Sequence, residues 1–259
     1  MTTNDPKGRF SDRVEDYDRY RPTYPDAVLD LLVEHCELGP KSVVADIGSG
    51  TGILSAKLLQ HSARVHSLEP NDPMRARGDK RLREFEHSRS HPTSAEETGL
   101  PNASVDLITA AQAFHWFDQE RCHKEWRRIL RPAGHVALLW NDRRTTATPF
   151  LTAYENHLKE HSVDYGRVHH RRITPAALER FFSPGVAQTA CFTNEQVFDY
   201  EGLRGRHLSC SYVPNTEHPG FPAMVTDLRR LFDTYQTEGT VRFEYDTQVF
   251  FGPLCAAGC

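Results

Sequence analysis

Asp46-Ile-Gly48-Ser49-Gly50-Thr51-Gly52 is the densest chemical signal in the 259-residue chain, an acid followed by three glycines at alternate positions. Such spacing lets a backbone turn tightly and approach a ligand with no Cβ in the way. The preceding run Val43-Val44-Ala45 reads as the strand that delivers the turn, and Ile53 to Gln60 as the helix that follows it. Together they describe a site for a nucleotide-sized ligand, and hence an enzyme. A dinucleotide fingerprint wants its third glycine one position later, where Ile53 stands. Glu69 closes a second strand-like run, Arg64 to Leu68, at an offset close to the ~20 residues at which an acid grips a ribose. A carboxylate suits that task because it accepts from both vicinal hydroxyls. The third chemical group is His115, in Ala110-Ala-Gln112-Ala-Phe-His115-Trp116-Phe117-Asp118. A histidine's unperturbed pKa of about 6.5 suits a general base; a hydrogen-bonded structural histidine between strand and helix is the other reading.

These groups need elements to hold them. The first half alternates strand-like and helix-like segments: Val43 to Ile47, Ile53 to His61, Arg64 to Leu68, Asp72 to Arg83, Val105 to Ala110, Gln119 to Leu130 and Val136 to Trp140. Phe85 to His91 fits a further short strand. Alternation of this kind predicts a parallel sheet with crossover helices, with ligands outside the carboxyl ends of its strands. From Asn141 to about Pro184 the pattern is helical, charged and rich in histidine (His157, His161, His169, His170), which predicts a cap. Val186 to Phe198 and Val241 to Phe251 read as late strands, the latter by its alternation, with helices over Tyr200 to Tyr212 and Ala223 to Glu238 between them.

Composition narrows the classes. Lys and Arg total 31 against 35 acids, a net charge of -4 that gives no global field for a phosphate backbone, so nucleic acid is not the expected partner. No run approaches the ~20 apolar residues of a membrane span, and the first residues are polar, unlike a secretory signal. A cytoplasmic protein is expected. Six cysteines are scattered without C-x-x-C pairs, which predicts neither a zinc knuckle nor a disulfide framework. The tail Cys255-Ala-Ala-Gly-Cys259 lacks the fourth-from-last cysteine of a prenylation box.

The glycine run resembles the first motif, D-x-G-x-G-x-G, of the class I S-adenosylmethionine-dependent methyltransferases, and every fixed residue of that motif is present. Ala110 to Phe117 is similar to the A-x-A-x-H-W-F signature of their type 11 small-molecule group, and Ile129-Leu-Arg-Pro-Ala133-Gly134 to its L-R-P-G-G turn with Ala133 replacing a glycine. Leu203 to Pro214 and Tyr245 to Val249 resemble the carboxyl half of the same group, which includes the trans-aconitate and ubiquinone-pathway enzymes.

The resemblance implies an α/β fold: a Rossmann-like, doubly wound, mostly parallel seven-stranded sheet with an inserted helical cap. The expected division is an amino-terminal lid and donor-binding core over 1–140, the cap over 141–185, and late sheet strands with substrate-facing helices over 186–259. It implies S-adenosyl-L-methionine as cofactor, held by Asp46, Gly48, Ser49, Gly50, Thr51, Gly52 and Glu69, with Pro70 and Met74 in a loop packing on the adenine. Ser94, Ala95 and Glu96 resemble an S/D-A-E signature at the adenine edge, and Gln112 falls beside the methyl end. Tyr20 and Arg21 resemble a Y-x-x-x-R-P stretch folded over the donor, where a guanidinium can pair with the methionyl carboxylate. Trp116 and Phe117 either face the acceptor or pack the core. Arg206 and Tyr212, with Arg204, Ser209 and Ser211, fall on the acceptor side. Asp118 is expected as a helix cap and Asp106 as structural. The reaction implied is methyl transfer to an O, N or C atom of a small molecule. An N/D-P-P-Y/F element, used on exocyclic nucleobase amines, is missing. Two other readings compete: a nicotinamide-dependent oxidoreductase on a similar sheet, and a non-catalytic or RNA-directed module that keeps the donor fold.

Overall fold

The computed structural model describes residues 13–62, 64–163, 165 and 173–254. His169, His170 and the Cys255–Cys259 tail lie outside them. Seven strands form one sheet: β1 (Val43–Ile47), β2 (Arg64–Leu68), β3 (Ser88–His91), β4 (Val105–Ala111), β5 (Leu130–Arg143), β6 (Gln188–Phe198) and β7 (Val241–Pro253). Their order is β3-β2-β1-β4-β5-β7-β6. The first five run parallel, and β7 is antiparallel to both its neighbours. The order reverses between β1 and β4, which opens a crevice at their carboxyl ends.

The strands are apolar on successive residues because both faces of the sheet are covered. Ala45, Ile47, Ile108, Val136 and Leu138 point into one core, closed by α5 (Gln119–Ile129) and α7 (Pro175–Phe182) through Trp126, Phe181 and Phe182. Val44, Leu107, Ala137 and Leu139 point into the other, closed by α2 (Asp26–His35) and α3 (Ile53–Leu58). On the β2 side the sheet is followed by α4 (Asp72–Leu82). A third cluster joins α6 (Pro149–His161), α8 (Tyr200–Leu208) and α9 (Phe221–Tyr235) to the first half of β7 through Phe243 and Tyr245. Helix α1 (Val14–Tyr20) packs on α8 and α4.

Several boundaries differ from the sequence expectation for local reasons. Helix α3 stops at Leu58 because the next amides tighten into three-residue turns, Gln60 onto Lys57 and His61 onto Leu58. The same happens at Phe85 and Ser88, so β3 begins only at Ser88. The stretch between β5 and β6 serves two places. Helix α6 joins the helical layer against α9, whereas α7 packs beside α5 on the sheet. His157 of α6 turns inward against His207, and His161 packs beside His157 and faces Asp227 of α9. Strand β5 runs on to Arg143, which pairs with Tyr245 of β7 and stands past the last β4 pair, Ala111 with Leu139.

Candidate functional site

Three glycines with φ of +69°, +56° and +76° carry the chain from β1 into α3. At Gly48 a Cβ would lie 2.6 Å from the Ala113 Cβ and 3.0 Å from the Phe117 ring, so both the backbone conformation and the space require glycine. The amides of Gly48 and Ser49 donate to the Leu68 carbonyl and tie the turn to β2. Asp46, 1% exposed, accepts from Ser55 Oγ (2.5 Å) and Thr109 Oγ1 (2.8 Å). Burial pushes its carboxyl up to about 6 against these hydrogen bonds.

A cleft of ≈ 400 Å³ opens on one side of the turn. Glu69 stands at its wall, Oε2 accepting from Gly50 N (3.0 Å) and Oε1 from Asn71 N (2.8 Å). Burial raises its pKa, and those two amides oppose the rise. Each carboxylate oxygen keeps a lone pair, so the group can still accept from two hydroxyls in the cleft. Asn71 caps α4 by accepting from Met74 N, which drives the Met74 side chain inward, and Pro70 precedes it on the wall. Ser94, Ala95 and Glu96 line the opposite wall. The Ala95 carbonyl accepts from Trp126 Nε1 and Glu96 accepts from Asp118 N, so this loop is fixed to α5. Asp118 caps α5 as expected, through Glu120 N and Arg121 N. Asp106 is structural, bound to Val43 N and Arg131.

A second cavity of ≈ 140 Å³ lies on the other side of the glycine turn, bordered by Asp46, Ser49 and Thr51. The two spaces share Tyr17, Gly48, Gly50, Gln112 and Trp116 as walls. Gln112 ends β4 in a left-handed conformation (φ 57°), a strained geometry held by its amide donating to Leu139 O. The chain then winds through a short 3-10 turn, Phe114–Trp116. Phe114 is buried, and His115 faces the smaller cavity with its ring 4.8 Å from that of Trp116. Arg206, Ser211 and Tyr212 reach the same cavity from α8 and the turn after it. Arg21 lines it beside them, donating to Ser209 O (2.9 Å).

Three of the expected residues stand elsewhere than on the expected wall. Tyr20 is not on either wall: its ring fills a notch at Gly205, where a Cβ would sit 2.0 Å from it, and meets Phe198 edge-on. Tyr17, one turn before Arg21 and under its guanidinium at 4.8 Å, takes the place at the site. Phe117 lines the larger cleft beside Gly48 and not the acceptor-side cavity. Arg204 points away on the outer face of α8, 3.9 Å from Glu201. The sequence reading missed Tyr17, Arg143 and Tyr165, which all line the smaller cavity. Arg143 was within reach of the rule that ligands gather after the carboxyl ends of strands. Nothing local marks Tyr165.

The methyltransferase domain model (type 11) matches residues 45–138. An uncharacterised methyltransferase-like protein of Schizosaccharomyces pombe is 31% identical over 138 residues, 53% of each chain. An uncharacterised methyltransferase of Mycobacterium bovis is 34% identical over 134 residues, 52% of each chain. The chain therefore spans about half the length of the curated relatives it matches. Among solved structures, a candidate type II methyltransferase from Anaeromyxobacter dehalogenans superposes with a TM-score of 0.63 at 24% identity, over 91% of this chain and 98% of that one. The YcgJ protein of Bacillus subtilis gives 0.57 at 19%, over 88% and 98%, and these likenesses are of fold. The domain match lies over the strands that carry the glycine turn, Glu69 and Gln112, so residues 45–138 are similar to a methyltransferase domain, and the fold around them is similar to that of methyltransferases.

Proposed function

We propose that this protein transfers a methyl group from S-adenosyl-L-methionine to a small-molecule acceptor. The observation that carries the reading is the meeting of two cavities at Gln112 and Trp116 over one glycine turn. A donor and an acceptor held in them face each other across a short gap, and positioning of this kind is the main demand of a displacement reaction. When bound, the sulfonium supplies an already activated methyl group, so the protein has little covalent chemistry to perform.

The larger cleft fits the adenosyl part. Glu69 offers a braced carboxylate for the ribose hydroxyls, and Pro70, Met74, Ala95 and Phe117 supply apolar surface for a purine, with Ser94 and Glu96 at its polar edge. On the other side of the turn, Asp46 contributes negative charge beside Ser49 and Thr51, and Arg21 offers a guanidinium for the methionyl carboxylate. Gly52 gives the turn its exit into α3. Trp116, Arg206 and Tyr212 form the acceptor wall, and His115 stands there as the base for an acceptor that must lose a proton. The division of labour follows the chain in the main: 1–140 binds the donor and lends His115 and Trp116 to the acceptor wall, and 141–185 with 186–259 supply the rest of that wall.

Calorimetric titration with S-adenosylhomocysteine, and with NAD and NADP in parallel, tests the reading. Saturable binding of S-adenosylhomocysteine alone is expected. Glu69→Ala removes charge-assisted hydrogen bonds of about 3 kcal/mol in sum, so affinity should fall about 100-fold. His115→Ala should leave it unchanged. A preference for a nicotinamide, or normal affinity in Glu69→Ala, refutes the assignment.

A further inference from the structure

Arg21 and Arg206 line one small cavity, so its walls must hold two like charges close together. Their joint field is visible on the Cys210 thiol, which burial raises but Arg206 and Arg21 bring down to about 7. Neither arginine has a carboxylate partner among the described residues. Hydrogen bonds to uncharged groups fix them instead, and these bonds lead from one arginine to the other.

Arg206 Nε donates to Tyr245 Oη (3.3 Å), Tyr245 Oη to Gln196 Oε1 (2.9 Å), and Gln196 Nε2 to the carbonyl of Tyr20 (3.1 Å), whose peptide bond leads into Arg21. Arg21 closes the circuit by donating to Ser209 O (2.9 Å), while Ser209 Oγ donates to Arg206 O (2.7 Å). The ends of the run fix its direction. A guanidinium only donates and a backbone carbonyl only accepts, so one orientation of the Tyr245 hydroxyl and of the Gln196 amide satisfies all three bonds. Bonds aligned in one sense polarise one another, and Tyr245, 1% exposed, keeps water from the middle of the run. Two residues before Gln196 on β6, Asn194 Nδ2 donates to Thr23 O (2.8 Å), so residues 21 and 22 are bracketed by two amides of one strand. The Tyr20 ring in its notch at Gly205, next to Arg206, adds a direct contact to the indirect one.

Resting on the methyl-transfer reading, in which Arg21 meets the methionyl carboxylate, we propose that Gln196 and Tyr245 are positioning residues that set Arg21 from the acceptor wall. Neither residue lines either cavity. Through them the edge strand β6 serves the donor, and the two guanidiniums take their places together: a displacement at Arg206 reaches Arg21, and the reverse.

The test titrates the intact chain with S-adenosylhomocysteine and with 5′-methylthioadenosine, which keeps the adenosyl part and lacks the amino acid. Gln196→Leu and Tyr245→Phe should each weaken S-adenosylhomocysteine binding about fivefold, the worth of one hydrogen bond, and leave methylthioadenosine within twofold. The two changes together should lose no more than either alone, because they cut one run. Gln196→Leu added to Arg21→Gln should cost less than twofold, because the carboxylate contact is already gone. Gln196→Met, which keeps the length of the side chain, replaces the leucine variant if that folds poorly, and Thr193→Ala on the exposed face of β6 is the unaffected control. An equal loss for methylthioadenosine marks a general loosening of the fold. That result, additive losses in either double variant, or unchanged S-adenosylhomocysteine affinity overturns the proposal and leaves the methyl-transfer reading standing. If the parent does not bind S-adenosylhomocysteine, that reading fails first, and the proposal with it.

Discussion

Asp46→Asn should make the ligand-free protein more stable while weakening donor binding. The carboxyl is buried, and burial moves it from the ordinary 3.8 to about 6. A folded-state pKa above the unfolded one means that the folded protein holds the proton more tightly between those values. Stability therefore falls as pH rises from about 4 to about 6, and above that the cost is constant. Linkage gives that cost as about 3 kcal/mol at pH 7.5 and about half as much at pH 5. Asparagine carries no such cost, and the hydroxyls of Ser55 and Thr109 can rotate to suit an amide. The variant should gain about 6 °C in Tm at pH 7.5, at roughly 2 °C per kcal/mol for a chain of this size, and about half that gain at pH 5. Loss of the negative charge on the cavity wall should lower S-adenosylhomocysteine affinity at least tenfold. Scanning calorimetry at the two pH values, with titration of the ligand, measures both. A gain independent of pH, a loss of stability at pH 7.5, or unchanged ligand affinity would refute the reasoning.

Two further changes test the packing. Ala133 is exposed and left-handed (φ 67°), so Ala133→Gly should raise stability by about 1 kcal/mol, read as the midpoint of urea unfolding, with ligand affinity unchanged. Gly205→Ala places a methyl group on the Tyr20 ring and should detach α1 from α8; S-adenosylhomocysteine affinity should fall at least tenfold while the far-UV spectrum of the sheet is retained.

The glycine turn and the Glu69 wall were legible because each of their parts is short and continuous in sequence. One strand, one turn and one helix position Asp46 and the glycines, and Glu69 stands between the end of β2 and the cap Asn71 of α4, so the local code and the final geometry coincide. Acceptor-side residues arrive from α1, the end of β5, the segment after α6 and the turn after α8, and only packing brings them together. Tyr17 and Tyr20 show the difficulty: both are aromatic residues on one short helix, and three positions separate a ring at the site from a ring filling the Gly205 notch. Arg143 was read as the beginning of a cap because the strand ahead of it continues through polar Asn141 and Asp142, where the apolar signal stops. The cap expectation blurred for a related reason. Charge and helical period describe α6 and α7 equally well, and only Trp126 and Phe181 on one side and α9 on the other decide where each packs.

Helix α1 buries none of its residues, and it is fastened from several directions. Asp18 pairs with Arg77 and Arg81 of α4, and Arg81 also donates to the Thr51 carbonyl in the glycine turn. Arg13 donates to the carbonyls of Leu208, Cys210 and Val213 at the end of α8, and Tyr20 fills its notch. These are fastenings of charge and of one ring, which water and salt can replace, whereas the strands beneath are held by apolar cores. The helix belongs to the least stable class of elements and can swing open with the sheet intact. On the methyl-transfer reading, that supplies the spent nucleoside with an exit whose threshold is electrostatic: departure through it would set the turnover rate, and moderate salt would quicken that rate.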